Sequence, residues 1–136
     1  MTEAIYPRPV ILDYTAFLYE GFAQHKLRLQ YCDQCGKHRH PPNPMCPHCH
    51  SSKWTAKATS GRGIVHSYTV QHYPPIPPYS VPHPVVLVDM EEGFRFLAAI
   101  KDVAPEDIHI GMKVETEFVE LEPAFTLPVF RPVKSA

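Results

Sequence analysis

The chain has 136 residues, of which 44% are apolar and 20% charged, and its net charge is −1. This composition favours one soluble globular unit with a modest core, and the longest apolar runs, 84–88 and 97–100, fall far short of the roughly 20 residues that span a membrane. The opening residues MTEAIYPRPV lack the charged start and apolar stretch of an export signal, so we expect a cytoplasmic protein.

The first predicted element is a short helix within an N-terminal segment, residues 1–24. Asp13 is placed to cap a helix over residues 14–23, where apolar side chains recur at helical spacing. The apolar residues at this spacing are Phe17, Leu18 and Phe22.

The next segment, residues 25–60, contains all four cysteines in two C-x2-C pairs separated by ten residues. They are Cys32, Cys35, Cys46 and Cys49. This paired spacing predicts a four-sulfur metal site, and Gly36 tolerates the left-handed backbone that a tight knuckle often needs. Two disulfides are the competing interpretation, which the absence of an export signal disfavours. Four thiolates suit zinc or iron, and zinc is the default.

The metal is predicted to be structural. A catalytic zinc keeps one position open for water or substrate, whereas four thiolates close the shell. Four histidines lie nearby, but the cysteine set is complete without them, which favours surface or supporting roles; they are His38, His40, His48 and His50. The segments KLRLQYC and KWTAKATSG flank the cysteines as predicted strands, and this order indicates a zinc ribbon.

Residues 61–122 change to an all-β pattern. Runs of β-branched and aromatic residues predict strands at 63–73, 84–90, 94–100 and 112–121. A tight hairpin is expected at 91–93, with Gly93 at positive φ, and a helical turn within 103–111. The pattern is typical of a five-stranded OB-fold barrel, so the fold class is mainly β. The proline-punctuated tail, 123–136, is expected to wrap the surface.

A proline-rich loop, residues 74–84, joins the first two barrel strands and contains six prolines. Proline fixes φ and donates no hydrogen bond, which predicts a stiff, extended segment close to polyproline II. It is either a rigid connector or a preformed arm that docks on a partner. The candidate docking residues are Ile76, Pro77, Pro78 and Tyr79, with Val81 as a further apolar contact.

Positive charge is concentrated in the ribbon. Residues 25–62 carry seven bases and one acid, a net charge of +6, whereas residues 63–136 carry five bases and ten acids, a net charge of −5. Four thiolates on a divalent ion remove about two positive charges from the ribbon. Single-strand binding by an OB barrel needs a positive groove with stacking aromatics, so the acidic barrel weakens nucleic-acid binding, which remains the alternative function.

In this order the segments resemble a known family. A short helix is followed by YCDQCG and CPHC, then SGRGIVHSYTVQH, PVVLVDMEEGFRFLAAI and APEDIHIGMKVETEFVEL, from about Asp13 to Leu121. They are similar to the OB-fold family with a rubredoxin-like zinc ribbon called domain-of-unknown-function family thirty-five. The resemblance implies metal ligation by the four cysteines. It also implies an accessory subunit of thiolase-superfamily enzymes that handle acyl-coenzyme A, with the catalytic residues on the partner.

The chain shows no catalytic motif of its own. G-x-S-x-G, H-E-x-x-H and phosphate-cradling glycine loops are all missing from the sequence. Asp89, Glu91 and Glu92 surround the predicted hairpin and are expected to form a solvated rim. We therefore favour a non-catalytic accessory subunit in a hetero-oligomer over a small independent enzyme, with an acyl-CoA thioester at the shared interface. Candidates for its coenzyme phosphates are Arg39, Lys53 and Arg62.

Overall fold

The computed structural model describes residues 6–134. These residues form a mainly β structure in two sheets, as the sequence predicts. The elements are α1 (Ala16–Ala23), β1 (Arg28–Cys32), β2 (His38–Arg39), β3 (Trp54–Ala58), β4 (Arg62–Gln71), β5 (His83–Met90), β6 (Arg95–Ala99), a 3-10 turn (Pro105–Asp107), β7 (Lys113–Glu122) and β8 (Phe125–Pro132). Within the described range, no helix has the length and apolar character that crossing a membrane requires.

Helix α1 begins two residues later than predicted, and Asp13 does not cap it. The N-cap residue is Thr15, whose hydroxyl accepts a hydrogen bond from the Leu12 N–H at 2.8 Å instead of capping the helix. The Asp13 prediction is wrong because a local turn between Leu12 and Thr15 starts the helix. Near the other end, Gly21 lets the chain fold back closely, since an added Cβ would stand 2.8 Å from the Lys26 carbonyl oxygen.

Strands β2, β1 and β3 form the antiparallel ribbon sheet in that order. Gln30 in β1 is fully buried, and its side-chain amide bonds both the N–H and the carbonyl of Asn43, each at 3.0 Å. Arg39 in β2 donates to the same carbonyl at 3.1 and 2.9 Å. Two side chains of the sheet therefore hold the loop that connects the two cysteine pairs.

The replacement Gln30→Ala should lower the free energy of unfolding by about 1–3 kcal/mol, because it deprives the Asn43 N–H of its partner and leaves a buried gap. Denaturant unfolding followed by circular dichroism measures this change. The matched control is Gln34→Ala, an exposed glutamine whose loss should cost less than about 0.5 kcal/mol. Equal stabilities for the two variants would contradict this role of Gln30.

The barrel is a five-stranded antiparallel sheet in the order β6-β5-β4-β7-β8. A single parallel bridge between Ile100 and Phe130 connects its two ends and brings them close to closure. The hairpin at 91–93 is confirmed, with Gly93 at a φ of 95°, and so is a helical turn within 103–111. The predicted five-strand OB architecture agrees with this sheet.

The predicted surface tail, residues 123–136, is wrong for the part that forms β8. This strand pairs along β7 from Glu122↔Phe125 to Val114↔Pro132. Its prolines are tolerated because β8 is the last strand of the sheet, where one edge needs no donors. Phe130 has no exposed surface and packs on the Phe96 ring at 6.2 Å. The tail therefore supplies the fifth strand and part of the core.

One core joins the helix, the ribbon and the barrel. Phe17 of α1 lies 4.9 Å from Trp54 of the ribbon, measured between ring centroids. Phe22, five residues later, contacts Phe96 and Phe118 of the barrel, with ring centroids 6.5 and 6.2 Å away. Helix α1 therefore packs against both modules, which fixes the ribbon on the barrel.

The proline-rich loop is not a continuous extended arm. The Tyr79 N–H donates to the Ile76 carbonyl at 2.9 Å and closes a turn at 77–78. The Tyr79 ring packs between Tyr6 and His83, with centroid distances of 5.2 and 5.0 Å. These contacts fold the middle of the loop back onto the protein, so the polyproline II prediction is wrong there.

Candidate metal centre and adjoining cleft

The four cysteine sulfurs form a single group. All four Sγ atoms lie within 4.8 Å of one another, with 3.5 Å between Cys32 and Cys49 and 3.6 Å between Cys35 and Cys46. A disulfide bond is about 2.05 Å long, and all four cysteines are free. Four sulfurs that bind zinc tetrahedrally at about 2.3 Å lie about 3.8 Å from one another. The observed spacing therefore fits one metal ion bound by four thiolates.

Backbone N–H groups in the two knuckles favour the thiolate form that binds metal. The Cys35 N–H donates to Cys32 Sγ at 3.5 Å and lowers the pKa of the Cys32 thiol. In the second knuckle, the Cys49 N–H lowers the pKa of Cys46 to about 6. The two turns thus favour the thiolate form of Cys32 and Cys46. Cys49 differs: although the Ser51 N–H opposes the effect, burial and the neighbouring sulfurs raise the pKa of its thiol to about 11.

The neighbouring histidines take no part in the sulfur group, which within the described residues contains cysteines alone. His38 packs edge-on against the rings of Tyr31 and Phe94 at 5.9 and 6.5 Å. His48 and His50 are exposed. Four thiolates complete a tetrahedral shell and leave no position for substrate, which is the pattern of structural sites.

A cleft of about 620 Å³ opens beside the ribbon. Its walls come from α1, the loop after β2, strands β6 and β8, and the end of the proline-rich loop. Because β6 and β8 are the two ends of the barrel sheet, the cleft lies over the seam of the barrel. This position places it where the helix, the ribbon and the barrel meet.

His40 forms the ribbon wall of this cleft. Its ring lies 4.9 Å from Phe96 and 5.7 Å from Phe94, measured between centroids. Burial among these rings lowers the pKa of His40 to about 4, because the charged form loses its hydration. At neutral pH the imidazole is therefore uncharged.

We expect the His40 ring to stay neutral down to about pH 4, as measured by its proton resonances in an NMR titration of the metal-loaded chain. Between pH 6.5, the ordinary value, and about 4, the unfolded chain binds more protons than the folded one, so the free energy of unfolding decreases as the pH falls through this window. A midpoint near 6.5 would show that the ring is hydrated.

The three candidates for coenzyme phosphates lie in different settings. Arg39 is only 7% exposed, and its Nε and Nη2 donate to the Asn43 carbonyl, so burial leaves it poorly placed to contact a phosphate. Arg62, at the start of β4, is exposed but pairs with Glu91, with 3.1 Å between Nε and Oε1. Lys53, just before β3, is exposed.

Two carboxylates of the hairpin rim, Asp89 and Glu91, are held as ions. Arg95 donates to Asp89 at 2.8 Å and holds the pKa of that carboxyl below its usual value. The hydrogen bond from Arg62 likewise lowers the pKa of Glu91. Exposed carboxylates that stay ionised cannot donate protons near neutral pH, which agrees with the predicted solvated rim for Asp89 and Glu91. Glu92 departs from that prediction, because it is half-buried and its Oε2 accepts a hydrogen bond from the Ser60 N–H at 2.7 Å.

The cleft was not predicted from the sequence. It depends on His40, on the loop held by Gln30, and on β8, which come together only in the folded chain. The one local signal was the pair of prolines after His40, which provides a stiff apolar surface next to the ribbon. Periodicity and motif spacing carry no information about such a long-range arrangement.

Comparison with known proteins agrees with this architecture. Residues 20–55 match the family described as ChsH2, rubredoxin-like zinc ribbon domain, and residues 56–119 match ChsH2, C-terminal OB-fold domain. A zinc ribbon joined to an OB-fold is therefore the class of this protein. The chain belongs to the DUF35 family, in which this pair of domains occurs.

Three individual proteins are closely similar. The probable enoyl-CoA hydratase alpha subunit of Thermomonospora curvata is 44% identical over 130 residues, which are 96% of this chain and 41% of that protein. The 3-oxo-4,17-pregnadiene-20-carboxyl-CoA hydratase alpha subunit of Mycobacterium tuberculosis is 36% identical, over 87% of this chain and 37% of that protein. This chain thus spans about two fifths of the length of both relatives.

The third is a chain of the solved structure named Ltp2-ChsH2(DUF35) aldolase, with a TM-score of 0.89 and 44% identity. The match covers 92% of this chain and 98% of that chain. The described fold is therefore the same over nearly the whole length of both chains.

Proposed function

We propose that this chain is a non-catalytic subunit of an enzyme that acts on acyl-CoA thioesters, with a thiolase-superfamily aldolase or acyltransferase as its partner. The observation that carries the proposal is the near-complete structural match to the DUF35 chain of the aldolase structure. The closed sulfur group supports it, because such a centre has a structural and not a catalytic arrangement. We place the resulting hetero-oligomer in the cytoplasm.

The ion that we propose is zinc. The matched family is described as a rubredoxin-like zinc ribbon, and the sulfur distances fit a tetrahedral thiolate shell. When bound, zinc would tie the two knuckles together without taking part in chemistry. Metal analysis of the purified chain by atomic emission distinguishes zinc from iron.

Two surfaces are proposed to form the contacts, one with the coenzyme and one with the partner. Lys53 and Arg62 are exposed bases that can reach phosphates of the coenzyme. The turn of the proline-rich loop offers an apolar surface to the partner, with Ile76 49% exposed at its start. The docking residues proposed in this turn are Ile76, Pro77, Pro78 and Tyr79.

Co-expression with a thiolase-like protein encoded beside this chain, followed by size-exclusion chromatography, tests the association. The two proteins should elute together, and Ile76→Glu should weaken the complex at least tenfold because a carboxylate would enter an apolar contact. The matched control is Ile110→Glu, 69% exposed outside this loop, which should leave the complex intact. Separate elution of the wild-type pair would contradict the proposal.

A further inference from the structure

The cleft beside the ribbon carries no ionic side chain among its lining residues. Its surface is built mainly from aliphatic, aromatic and proline side chains, and no lysine, arginine, aspartate or glutamate is among the lining residues. The polar lining residues are Tyr14, Thr15, Tyr19, His40, Tyr79 and His83. Such a wall suits an uncharged apolar molecule that offers a few hydrogen-bonding oxygens.

The size and shape of the cleft also favour a small molecule. Its volume of about 620 Å³ falls within the range of pockets that enclose ligands of drug size. Its walls come from separate parts of the chain, so a ligand is contacted from several sides. Two of these walls contain prolines and are conformationally stiff, which reduces the entropy lost on binding. One wall contains Pro41 and Pro42, and the other contains Pro128.

The ribbon wall of the cleft disfavours a charged ligand. His40 faces the cleft from the ribbon, and burial against Phe96 keeps its imidazole neutral at physiological pH. The phosphates of a coenzyme would find no cation here, whereas the exposed bases Lys53 and Arg62 lie outside the lining. The cleft therefore fits the acyl end of a thioester better than its nucleotide end.

We propose that this cleft binds the apolar, fused-ring acyl group of the thioester that the complex handles. This inference rests on the proposed function. A fused-ring occupant agrees with the relative from Mycobacterium tuberculosis, whose name specifies the CoA ester of a pregnadiene carboxylic acid, a four-ring skeleton. The acyl group lies between α1 and the seam of the barrel.

Progesterone is a suitable probe, since it is an uncharged four-ring steroid without coenzyme A. The purified chain, without its partner, should bind it saturably in equilibrium dialysis. In NMR spectra, the amide signals of Ala98 and Ala99, which line the cleft, should shift on titration. Non-saturable binding, or shifts confined to residues away from the cleft, would overturn the inference.

Leu97→Glu provides the decisive variant. Leu97 lines the cleft but is 63% exposed, so the substitution should leave folding unchanged while it introduces a carboxylate. The affinity for progesterone should fall at least tenfold, whereas the control Ile110→Glu should bind within twofold of the wild type. Equal affinities of the two variants would exclude this cleft as the binding site.

The outcome is separable from that of the association experiment. If the chain elutes with its partner but does not bind progesterone, the cleft proposal fails while the accessory function stands. If the free chain binds the steroid but never associates, the accessory function fails and the binding site stands. If Leu97→Glu disrupts only the complex, a segment of the partner occupies the cleft and the ligand proposal is wrong.

Discussion

Cys46→Ser is expected to abolish metal retention and to unfold the ribbon, residues 28–58. Cys46 is only 1% exposed and contributes one of the four sulfurs of the metal group. Structural zinc in zinc-finger peptides provides roughly 10–16 kcal/mol of apparent binding free energy, which is comparable with the whole stability of a domain at about 5–15 kcal/mol. The ribbon sheet has only three strands, so it cannot replace this contribution from its own core.

Two measurements test the expected effects of Cys46→Ser. Atomic emission should find one metal ion per wild-type chain and much less than one per variant chain, and NMR should show loss of dispersed amide signals from the ribbon. Met45→Ser, at the adjacent and 50% exposed position, is the control and should retain both metal and structure. A Cys46→Ser chain that keeps a folded ribbon would mean that the ion does not hold it together.

Phe130→Ala is expected to destabilise the protein by about 3–5 kcal/mol. Phe130 has no exposed surface, lies in β8 and bridges to Ile100 at the other end of the barrel sheet. The Lys101 N–H also donates to the Phe130 carbonyl at 2.9 Å, so this position joins the two ends of the barrel. Loss of the ring leaves a cavity where Phe96 packs, and surrounding side chains can fill it only in part.

The free energy of unfolding from guanidinium titrations measures this effect. Tyr73→Ala removes an aromatic ring of similar size from a position that is 85% exposed, and its cost should stay below about 0.5 kcal/mol. Truncation after residue 124 should be at least as damaging as Phe130→Ala, because it removes the whole of β8. If the truncated chain were as stable as the wild type, the C-terminal segment would be a surface tail after all.

The metal group and most barrel strands could be predicted because their signals are local. Two C-x2-C turns each bring a pair of sulfurs together regardless of the rest of the fold, and alternating apolar residues indicate strands wherever one face is buried. The same reasoning failed for β8, since its prolines read as breaks in a strand. Their tolerance depends on β8 being the last strand of the sheet, which only the topology reveals.

Arg39 illustrates a second limit. A basic residue in a positively charged segment suggests an exposed anion ligand, because burial of an arginine is costly unless its donors are bonded. Here the Asn43 carbonyl, four residues later, accepts hydrogen bonds from Nε and Nη2 of Arg39, which offsets part of the cost of burial, while Nη1 is buried without a partner among the described residues. Local sequence gave no indication that the loop would turn back onto β2.

The burial of Arg39 also bears on the alternative of nucleic-acid binding. It removes one base from the positive surface of the ribbon, which was the sole region suited to phosphate contacts. Arg62 is further offset by its pair with Glu91. The positive charge that remains accessible on the ribbon is therefore smaller than the sequence suggests, which weakens the nucleic-acid alternative. Retention of single-stranded RNA on a filter at physiological salt would favour that alternative.

Turnover of an acyl-CoA thioester by the partner protein, titrated with this chain, tests the accessory function most directly. The chain alone should show no turnover, and the partner's rate should rise with added chain and saturate at the composition of the complex. Turnover by the chain alone, or a partner rate that does not respond to it, would contradict the account.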